Sequence, residues 1–333
     1  MKLEANEQTV AEGEAASALW IVAPGLCQLR EERIAEPSPT DVVVRTLYSG
    51  ISRGTEALVF RGLVPESEFE RMRGPHMEGT FPFPVKYGYA AVGQIEAGPS
   101  HLVGKEVFAL FPHQDRFVLP AEQVTVLPDT LPAQRAVLAA NMETALNIVW
   151  DAGIQPGDRV AVFGAGVVGS LVAYLASRII GTETTIVDRD ATRRELATAL
   201  GLTFCEANAL DGEFDVLVNA TASAEALQQA IAHAGMEAKI IEASWYGDRV
   251  VPIPLGGAFH SRRLSLVSSQ VGSIPAKRRA RWTYARRMAK ALELLFDPRL
   301  DRLISGETVF AELPATYARI LSAQDTLCHR IRY

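Results

Sequence analysis

The chain has 333 residues, of which 48% are hydrophobic and 22% are charged, and this composition excludes a mostly disordered or collagen-like protein. A chain of this length exceeds what a single hydrophobic core usually supports, so we expect two lobes. The formal net charge of −6, without a separate acidic or basic tail, gives no reason to expect a nucleic acid or a membrane as partner.

Three further features bear on the cellular compartment. Met1 to Gly13 is a polar, acidic stretch that lacks the basic and apolar regions of a secretory signal. No stretch reaches the roughly 18 to 20 apolar residues that a membrane-spanning helix needs. The three cysteines, Cys27, Cys205 and Cys328, are scattered and odd in number. We therefore expect a cytoplasmic protein with reduced thiols.

The first third of the chain predicts a β-rich lobe. From about residue 18 to residue 126, short alternating apolar runs are broken by Gly, Pro and Ser clusters. Residues 61–84 lack sustained periodicity and carry several aromatic residues and prolines. We predict that they form a loop over a cleft.

After Pro132 the pattern becomes helical up to Gly153, which predicts a helix that joins the two lobes. Strands and helices then alternate, which predicts a parallel sheet with right-handed crossovers. The predicted order is the strand RVAVF, a helix through Ile180, TTIVD, a helix through Leu200, DVLVNA, a helix, and KIIEAS. The fold class is therefore α/β, with a doubly wound parallel sheet and a β-rich lobe.

The last sixty residues predict a return to the first lobe. They contain a long basic helix over residues 276–296, a short strand near 303–309, a helix near 314–323 and a final strand-like RIRY.

A G-x-G-x-x-G motif follows the strand RVAVF and opens the next helix: Gly164-Ala165-Gly166-Val167-Val168-Gly169. Gly164 permits a tight turn, Gly166 lets the backbone approach a pyrophosphate, and Gly169 lets helix and strand pack closely. The helix N-terminus then faces the phosphates. The motif predicts a dinucleotide site, and the alternative is a glycine-rich turn without a ligand.

Asp188 ends the next strand, 19 residues beyond Gly169, where a carboxylate would accept hydrogen bonds from the adenosine ribose. A carboxylate repels a 2′-phosphate, so NAD is favoured over NADP. Arg189, with Arg193 or Arg194, could accept such a phosphate if the local geometry turned.

Two more turns follow strands of the predicted sheet. Thr221 follows DVLVNA and Ser244 lies at the end of KIIEAS, so both should lie at the carboxyl edge near the nicotinamide. Ordinary turn chemistry is the alternative.

Four blocks give the chain a resemblance to the medium-chain dehydrogenase/reductase superfamily of zinc-type alcohol dehydrogenases: residues 49–56, residues 87–95, Thr144-Ala145, and residues 268–282. In detail they resemble its bacteriochlorophyllide (2-desacetyl-2-hydroxyethyl bacteriochlorophyllide a) dehydrogenase branch. The resemblance implies a GroES-like catalytic lobe and a homodimer formed through the Rossmann sheet edge. We predict a catalytic domain over 1–141, a Rossmann domain over 142–272, and a C-terminal segment over 273–333 that returns to the catalytic domain.

The positions that hold zinc in this family have changed. Arg53 stands where the first ligand, a cysteine, is found, and Tyr89 lies in the stretch of the second, a histidine. Glu143 is the only plausible ligand near the third, and the structural zinc lobe with its four cysteines has no counterpart. We expect no zinc. A different site built from His76, His113 and Glu78 lacks metal-ligand spacing.

Without zinc, hydrogen-bond donors must stabilise the charge on the reacting oxygen. The resemblance places Arg53 and Tyr89 to polarise that oxygen and Thr55 at the position of the proton relay. The alternative is that Arg53 pairs with Glu56 or Glu143, while Tyr89 only packs under the cofactor.

The basic helix contains Lys277, Arg278, Arg279, Arg281, Arg286 and Arg287. No array of stacking aromatic residues is apparent around it, so we expect a solvated face or a rim that binds a substrate carboxylate.

Three functions remain open. We favour a zinc-independent NAD(H)-dependent oxidoreductase that acts on a small-molecule secondary alcohol or ketone. The alternatives are an NAD(P)H-dependent quinone or enone reductase and a dinucleotide-binding protein without turnover.

Overall fold

The computed structural model describes residues 14–333, so the expectation about a leader in residues 1–13 lies outside the described part. Within the described residues, no helix has both the length and the apolar character needed to cross a membrane.

Two antiparallel-rich sheets form the β-rich lobe. The smaller has the strand order β2-β1-β5-β4, and the larger has the order β16-β17-β3-β6-β7-β9, with β8 also paired to β3. Their strands are β1 (Ala15–Ala23), β2 (Leu26–Arg33), β3 (Asp41–Ser52), β4 (Glu78–Gly79), β5 (Val85–Lys86), β6 (Ala91–Ala97), β7 (Glu106–Ala109), β8 (Arg116–Pro120), β9 (Thr125–Val126), β16 (Ile304–Val309) and β17 (Cys328–Arg332). The lobe also carries helices α1 (Arg53–Phe60), α2 (Ala133–Ala136) and α9 (Leu313–Ser322).

The second lobe is a six-stranded parallel sheet of order β12-β11-β10-β13-β14-β15. Numbered within the sheet this order is 3-2-1-4-5-6, the doubly wound arrangement of dinucleotide-binding folds. Its elements are β10 (Arg159–Phe163), α4 (Val167–Ala176), β11 (Glu183–Asp188), α5 (Arg193–Ala199), β12 (Thr203–Glu206), β13 (Phe214–Asn219), α6 (Ala224–His233), β14 (Ala234–Glu242) and β15 (Ser265–Ser268). The predicted fold class is confirmed.

Three helices and several short turns complete the structure. The helices are α3 (Ala139–Ala152), α7 (Ala276–Arg279) and α8 (Tyr284–Glu293). The short 3-10 turns are Glu66–Glu68, Ala121–Gln123, Ala207–Ala209, Pro298–Leu303 and Phe310–Glu312, and a π turn covers Leu255–Phe259.

Three predicted helices differ from the structure. The helix predicted between Pro132 and Gly153 is divided into α2 and α3 by a turn at Val137 and Leu138. The basic helix is broken into α7 and α8, because Thr283 adopts an extended conformation and its side chain accepts the N–H of Arg286, which begins a new helix. The helix after the glycine motif ends at Ala176, four residues before Ile180. The Thr182 hydroxyl donates to the carbonyl of Ala176 at 2.8 Å, which caps the helix end.

One hydrophobic core joins the lobes. It runs from Val92 and Leu127 of the first lobe through α3 to Val160 of the parallel sheet. Strand β17 pairs antiparallel with β3, so a segment from beyond the parallel sheet completes the sheet of the first lobe. The residue boundaries predicted for the domains stay predictions.

Candidate active site

The glycine-rich turn between β10 and α4 has the shape that a pyrophosphate needs. Gly164 has φ +103°, a conformation that residues with a side chain rarely adopt. A methyl group added at Gly169 would lie 1.9 Å from the carbonyl oxygen of Gly164, so only glycine permits this close packing. A methyl added at Gly166 would meet no atom within 4 Å. The space beside Gly166 is therefore open.

The first turn of α4 presents backbone N–H groups to that space. The N-cap, Gly166, provides no capping side chain, and its carbonyl accepts from Ser170 N at 2.9 Å. The N–H groups of Val167, Val168 and Gly169 precede this bond in the helix. They can therefore donate to an anion, as the motif predicts.

Asp188 lies at the edge of the same turn. Its Oδ2 accepts from the N–H of Ala165 at 2.7 Å, and its Oδ1 accepts from the N–H of Asp190 at 2.9 Å. These two bonds fix the carboxylate and leave further lone pairs for ribose hydroxyls.

The three arginines near Asp188 have different surroundings. Arg189 is exposed. Arg193 donates to the carbonyls of Gln324 at 2.6 Å and Asp325 at 3.5 Å, which connects the two lobes. Arg194 pairs with a carboxylate oxygen of Glu206 at 3.1 Å and lies over the Phe204 ring. The guanidiniums of Arg193 and Arg194 thus already have partners. This disfavours binding of the 2′-phosphate of NADP.

Thr221 and Ser244 lie at the carboxyl edge of the sheet, where the sequence predicts them. Thr221 donates from N–H and Oγ1 to the Oδ1 of Asn219, at 3.2 and 2.7 Å. A methyl at Gly164 would lie 2.9 Å from the Thr221 methyl, so Thr221 borders the glycine-rich turn. The Oγ of Ser244 accepts from the N–H of Ala222 at 2.9 Å.

Sequence analysis missed a carboxylate at this edge. Glu242 ends β14 and accepts from Asn219, Ser244 and Tyr246. Burial raises the pKa of Glu242, and these hydrogen bonds oppose the shift. Burial and the neighbouring Glu242 both raise the pKa of Tyr246. The available signal is that Asn219 and Glu242 end consecutive parallel strands, which brings them together.

On the side of the first lobe, Tyr89 and Thr55 come together. The Tyr89 phenol lies beside the hydroxyls of Ser52 and Thr55, which lower its pKa, but burial and the neighbouring Glu56 raise it to about 12. The ring packs against both the core that joins the lobes and the separate core of the first lobe. Tyr89 is therefore a neutral hydrogen-bonding group at the lobe boundary.

Arg53 is held away from this pair. Its Nη1 donates to the carbonyl of Ala323 at 2.9 Å. Burial lowers its pKa, and the positive charge of Arg193 lowers it further. The predicted alternative pairing with Glu56 or Glu143 is wrong, because both carboxylates have other partners.

Glu56 belongs to a buried polar network that sequence analysis did not identify. Its carboxylate accepts from the Tyr317 hydroxyl at 2.6 Å and from the N–H of Ser52 at 2.6 Å, and it lies 3.1 Å from the Nε2 of His113. The Nδ1 of His113 lies 2.8 Å from the Oγ of Ser49. His113 is thus a structural residue in the fold, and the network supports the N-terminus of α1.

Glu143, the remaining candidate ligand, forms an ion pair with Arg287 at 3.0 Å, and both side chains are buried. Burial raises the pKa of Glu143, and Arg287 opposes the shift. Within residues 14–333, no group of three or more His, Cys, Asp and Glu side chains could hold a metal ion.

The basic segment also differs from its prediction in the surroundings of its side chains. Arg287 is buried, whereas Lys277, Arg279, Arg281 and Arg286 are exposed. Trp150 and Trp282 pack 4.7 Å apart between the guanidiniums of Arg278 and Arg286, and sequence alone does not show this contact.

Comparisons with known proteins agree with this fold. No protein-family model matches the chain. D-guloside 3-dehydrogenase of Escherichia coli K12 is 24% identical over 330 residues, which cover 90% of this chain and 94% of that protein.

Solved structures share the fold over nearly the whole chain. One is described as a short chain alcohol dehydrogenase from Escherichia coli CFT073 in complex with NADH, with a TM-score of 0.77 and 17% identity over 96% of this chain and all of that one. Another is 2R,3R-butanediol dehydrogenase from Bacillus subtilis, with a TM-score of 0.75 and 18% identity over 96% of this chain and 99% of that one.

The chain is thus an enzyme of the dehydrogenase/reductase type: it is similar over most of its length to a curated dehydrogenase, and it shares the fold of solved alcohol dehydrogenases.

Proposed function

We propose that the chain is an NAD(H)-dependent oxidoreductase that interconverts a secondary alcohol and a ketone without zinc. The observation that carries the proposal is that the open glycine-rich turn and the neutral Tyr89 phenol adjoin the same core, because Tyr89, Val167 and Val168 all pack against it. Bound nicotinamide supplies the hydride chemistry. The residues of the chain have to hold the dinucleotide and stabilise the charge on the substrate oxygen.

The cofactor side follows from the second lobe. The N–H groups of Val167, Val168 and Gly169 bind the pyrophosphate, and Asp188 accepts from the adenosine ribose. Thr221 and Ser244 border the nicotinamide half. Asp188 and the engagement of Arg193 and Arg194 with other partners favour NAD over NADP.

Residues of the first lobe are placed to bind the substrate oxygen. A phenol whose pKa lies near 12 stays protonated at neutral pH, so Tyr89 can donate a hydrogen bond to a substrate oxygen. The Thr55 hydroxyl lies beside the same phenol and is placed to pass a proton to or from it. Arg53 would first have to leave the carbonyl of Ala323, so the geometry supports Tyr89 and Thr55 better than Arg53.

Independence from zinc rests on the chemistry of the donors. A guanidinium is a cation without a free acceptor atom, and the carboxylate of Glu143 is occupied by Arg287. These groups do not form a tetrahedral zinc site.

The substrate class follows from the relatives. The names of D-guloside 3-dehydrogenase and butanediol dehydrogenase describe secondary hydroxyl groups, and the hydroxyethyl group of the bacteriochlorophyllide branch is also a secondary alcohol. We therefore propose a polyol, a glycoside or another secondary alcohol. A cytoplasmic location and a homodimer are further parts of the proposal.

Replacing Tyr89 tests the catalytic assignment. Tyr89→Phe removes one preorganised donor and should lower kcat by about 100-fold, while the Kd for NADH stays unchanged. The Tyr89 phenol loses its proton, and with it the hydrogen bond that it donates, only as the pH nears 12. In the wild type, deprotonation of Tyr89 should therefore not lower kcat/KM for ketone reduction below that pH.

The control is Arg53→Ala, which should retain most of kcat. Full turnover in Tyr89→Phe would contradict the assignment. Stoichiometric zinc in active protein would contradict the zinc-free site, and reduction of enones with a preference for NADPH would favour the alternative reductase.

A further inference from the structure

Glu242 lies on the half of the crevice that the nicotinamide would occupy. The parallel sheet consists of two halves that meet between β10 and β13, and a dinucleotide spans this junction. Asp188 marks the adenosine half on β11. The other half presents the ends of β13, β14 and β15, which are Asn219, Glu242 and Ser268 in register. Glu242 is the ionisable residue among these three strand ends.

The hydrogen bonds around Glu242 fit an ionised carboxylate. Its Oε2 accepts from the Nδ2 of Asn219 at 2.7 Å and from the Tyr246 hydroxyl at 3.1 Å, and its Oε1 accepts from the N–H of Ser244 at 2.9 Å. The orientation of the Asn219 amide is fixed, because its Oδ1 accepts from the backbone N–H of Thr221, which can only donate. The Asn219 amide therefore turns its NH₂ toward Glu242.

No cation neutralises this charge. In the described part of the chain, no Lys, Arg or His side chain forms an ion pair with Glu242. The guanidinium of Arg249 lies over the ring of Tyr246 and donates to the carbonyls of Tyr246 and Ala222. The side chain of Glu242 is only partly buried, so its field reaches the crevice.

A fixed negative charge at this place distinguishes the two redox states of the cofactor. The nicotinamide ring carries a positive charge in NAD⁺ and none in NADH. A carboxylate within several ångström of the ring therefore stabilises the oxidised form selectively, with an effect of about tenfold on the ratio of affinities for a partly solvated pair.

We propose that Glu242 raises the affinity of the crevice for NAD⁺ relative to NADH. Asn219 and Tyr246 are positioning residues that hold the carboxylate in place. The proposal rests on the proposed function, because it presupposes that the crevice binds a nicotinamide dinucleotide.

The test is the ratio of the Kd for NADH to the Kd for NAD⁺, measured by equilibrium titration of the full chain at about pH 8, where a carboxyl group is normally ionised. Glu242→Gln should weaken NAD⁺ binding by about tenfold and change NADH binding by less than about twofold. Glu242→Asp keeps the charge and should retain most of the wild-type ratio. The matched control is Glu237→Gln, an exposed position of the same strand, which should change neither Kd.

Each result decides the proposal. An unchanged ratio in Glu242→Gln, or an equal loss of affinity for both forms, would overturn the role of the charge and leave NAD binding in place. If Glu242→Gln fails to fold, Glu242→Asp becomes the test. A ratio of the Kd for NADH to the Kd for NAD⁺ that differs from the wild-type ratio by tenfold in Glu242→Asp would also overturn the role of the charge. A wild-type protein that binds neither dinucleotide would overturn the proposed function itself.

Discussion

Gly166 and Gly169 stand three residues apart in one turn, but an added methyl group meets different surroundings at each. At Gly169 it collides with the backbone of Gly164, which is part of the folded structure. At Gly166 it enters only the space assigned to the pyrophosphate. The two positions therefore separate a requirement of folding from a requirement of binding.

Gly166→Ala should leave the melting temperature within about 2 °C of the wild type and raise the Kd for NADH at least tenfold, because the methyl fills the phosphate space. Gly169→Ala should lower the melting temperature by several degrees, because the turn has to open. Thermal unfolding and NADH titration of both variants measure this. Tight NADH binding by Gly166→Ala would contradict the phosphate site.

Residues that act within one local segment were predictable, and residues joined across the fold were not. The glycines and Asp188 all lie within a single βαβ unit, so their spacing can be recognised in one continuous stretch of sequence. Asn219, which donates to Glu242, lies on another strand, and Ala323, the partner of Arg53, lies near the far end of the chain, so no sequence window contains these pairs. The alternative that paired Arg53 with Glu56 or Glu143 was wrong for this reason.

At the scale of elements, α3 and α8 are held together by a buried ion pair in addition to the core that joins the lobes. Besides Glu143, Arg287 donates to the Oδ1 of Asn147 at 2.5 Å and to the carbonyl of Val271 at 2.6 Å. A lone buried carboxylate is costly, whereas an apolar pair of similar volume is often tolerated.

Arg287→Met should reduce the free energy of unfolding by about 3–5 kcal/mol at neutral pH, since it leaves Glu143 buried without a cation. Adding Glu143→Leu should recover most of the loss. Urea denaturation of the wild type, the single variant and the double variant measures this. A double variant as unstable as the single one would contradict the explanation.

The pH dependence of Arg287→Met follows from the same burial. Burial already raises the pKa of Glu143, and removal of Arg287 raises it further. The folded state then keeps a proton that the unfolded state releases above about pH 4.3, so the variant loses stability as the pH rises from there up to the raised folded pKa. A variant whose stability increases with pH over that range would contradict this sign.

Periodicity predicted the existence and type of most elements, and side-chain capping decided where they end. The alternation of strands and helices gave the order of the parallel sheet. Thr182 and Thr283 set the end of α4 and the start of α8 through single hydrogen bonds, which a continuous helical pattern does not show.

At the scale of the whole molecule, β12 and β15 are the two edge strands of the parallel sheet in the described residues. β15 is the last strand in the sheet order, and the segment before it exposes Val250 at 96%, Leu255 at 52% and Ile253 at 37%. An open edge beside exposed apolar side chains is typical of a surface that pairs with another chain.

We expect the wild type to be a homodimer through this edge, by size-exclusion chromatography with light scattering. Val250→Asp combined with Leu255→Asp should give a monomer, because burying two charges in the interface is unfavourable. Ile180→Asp, at an exposed apolar position elsewhere, is the control and should remain dimeric. A monomeric wild type would contradict the expectation.

The return of the chain to the first lobe limits how the two lobes can move. The chain passes between them twice, through α3 and through the segment between β15 and α8, and Arg287 ties these passages side by side. Two lobes joined at adjacent points can rotate relative to each other about an axis through those points. Arg193 donates to the carbonyls of Gln324 and Asp325 and so holds the two lobes together at another place. Rotation about this axis would have to break this contact and also the packing of Trp245 against the core of the first lobe.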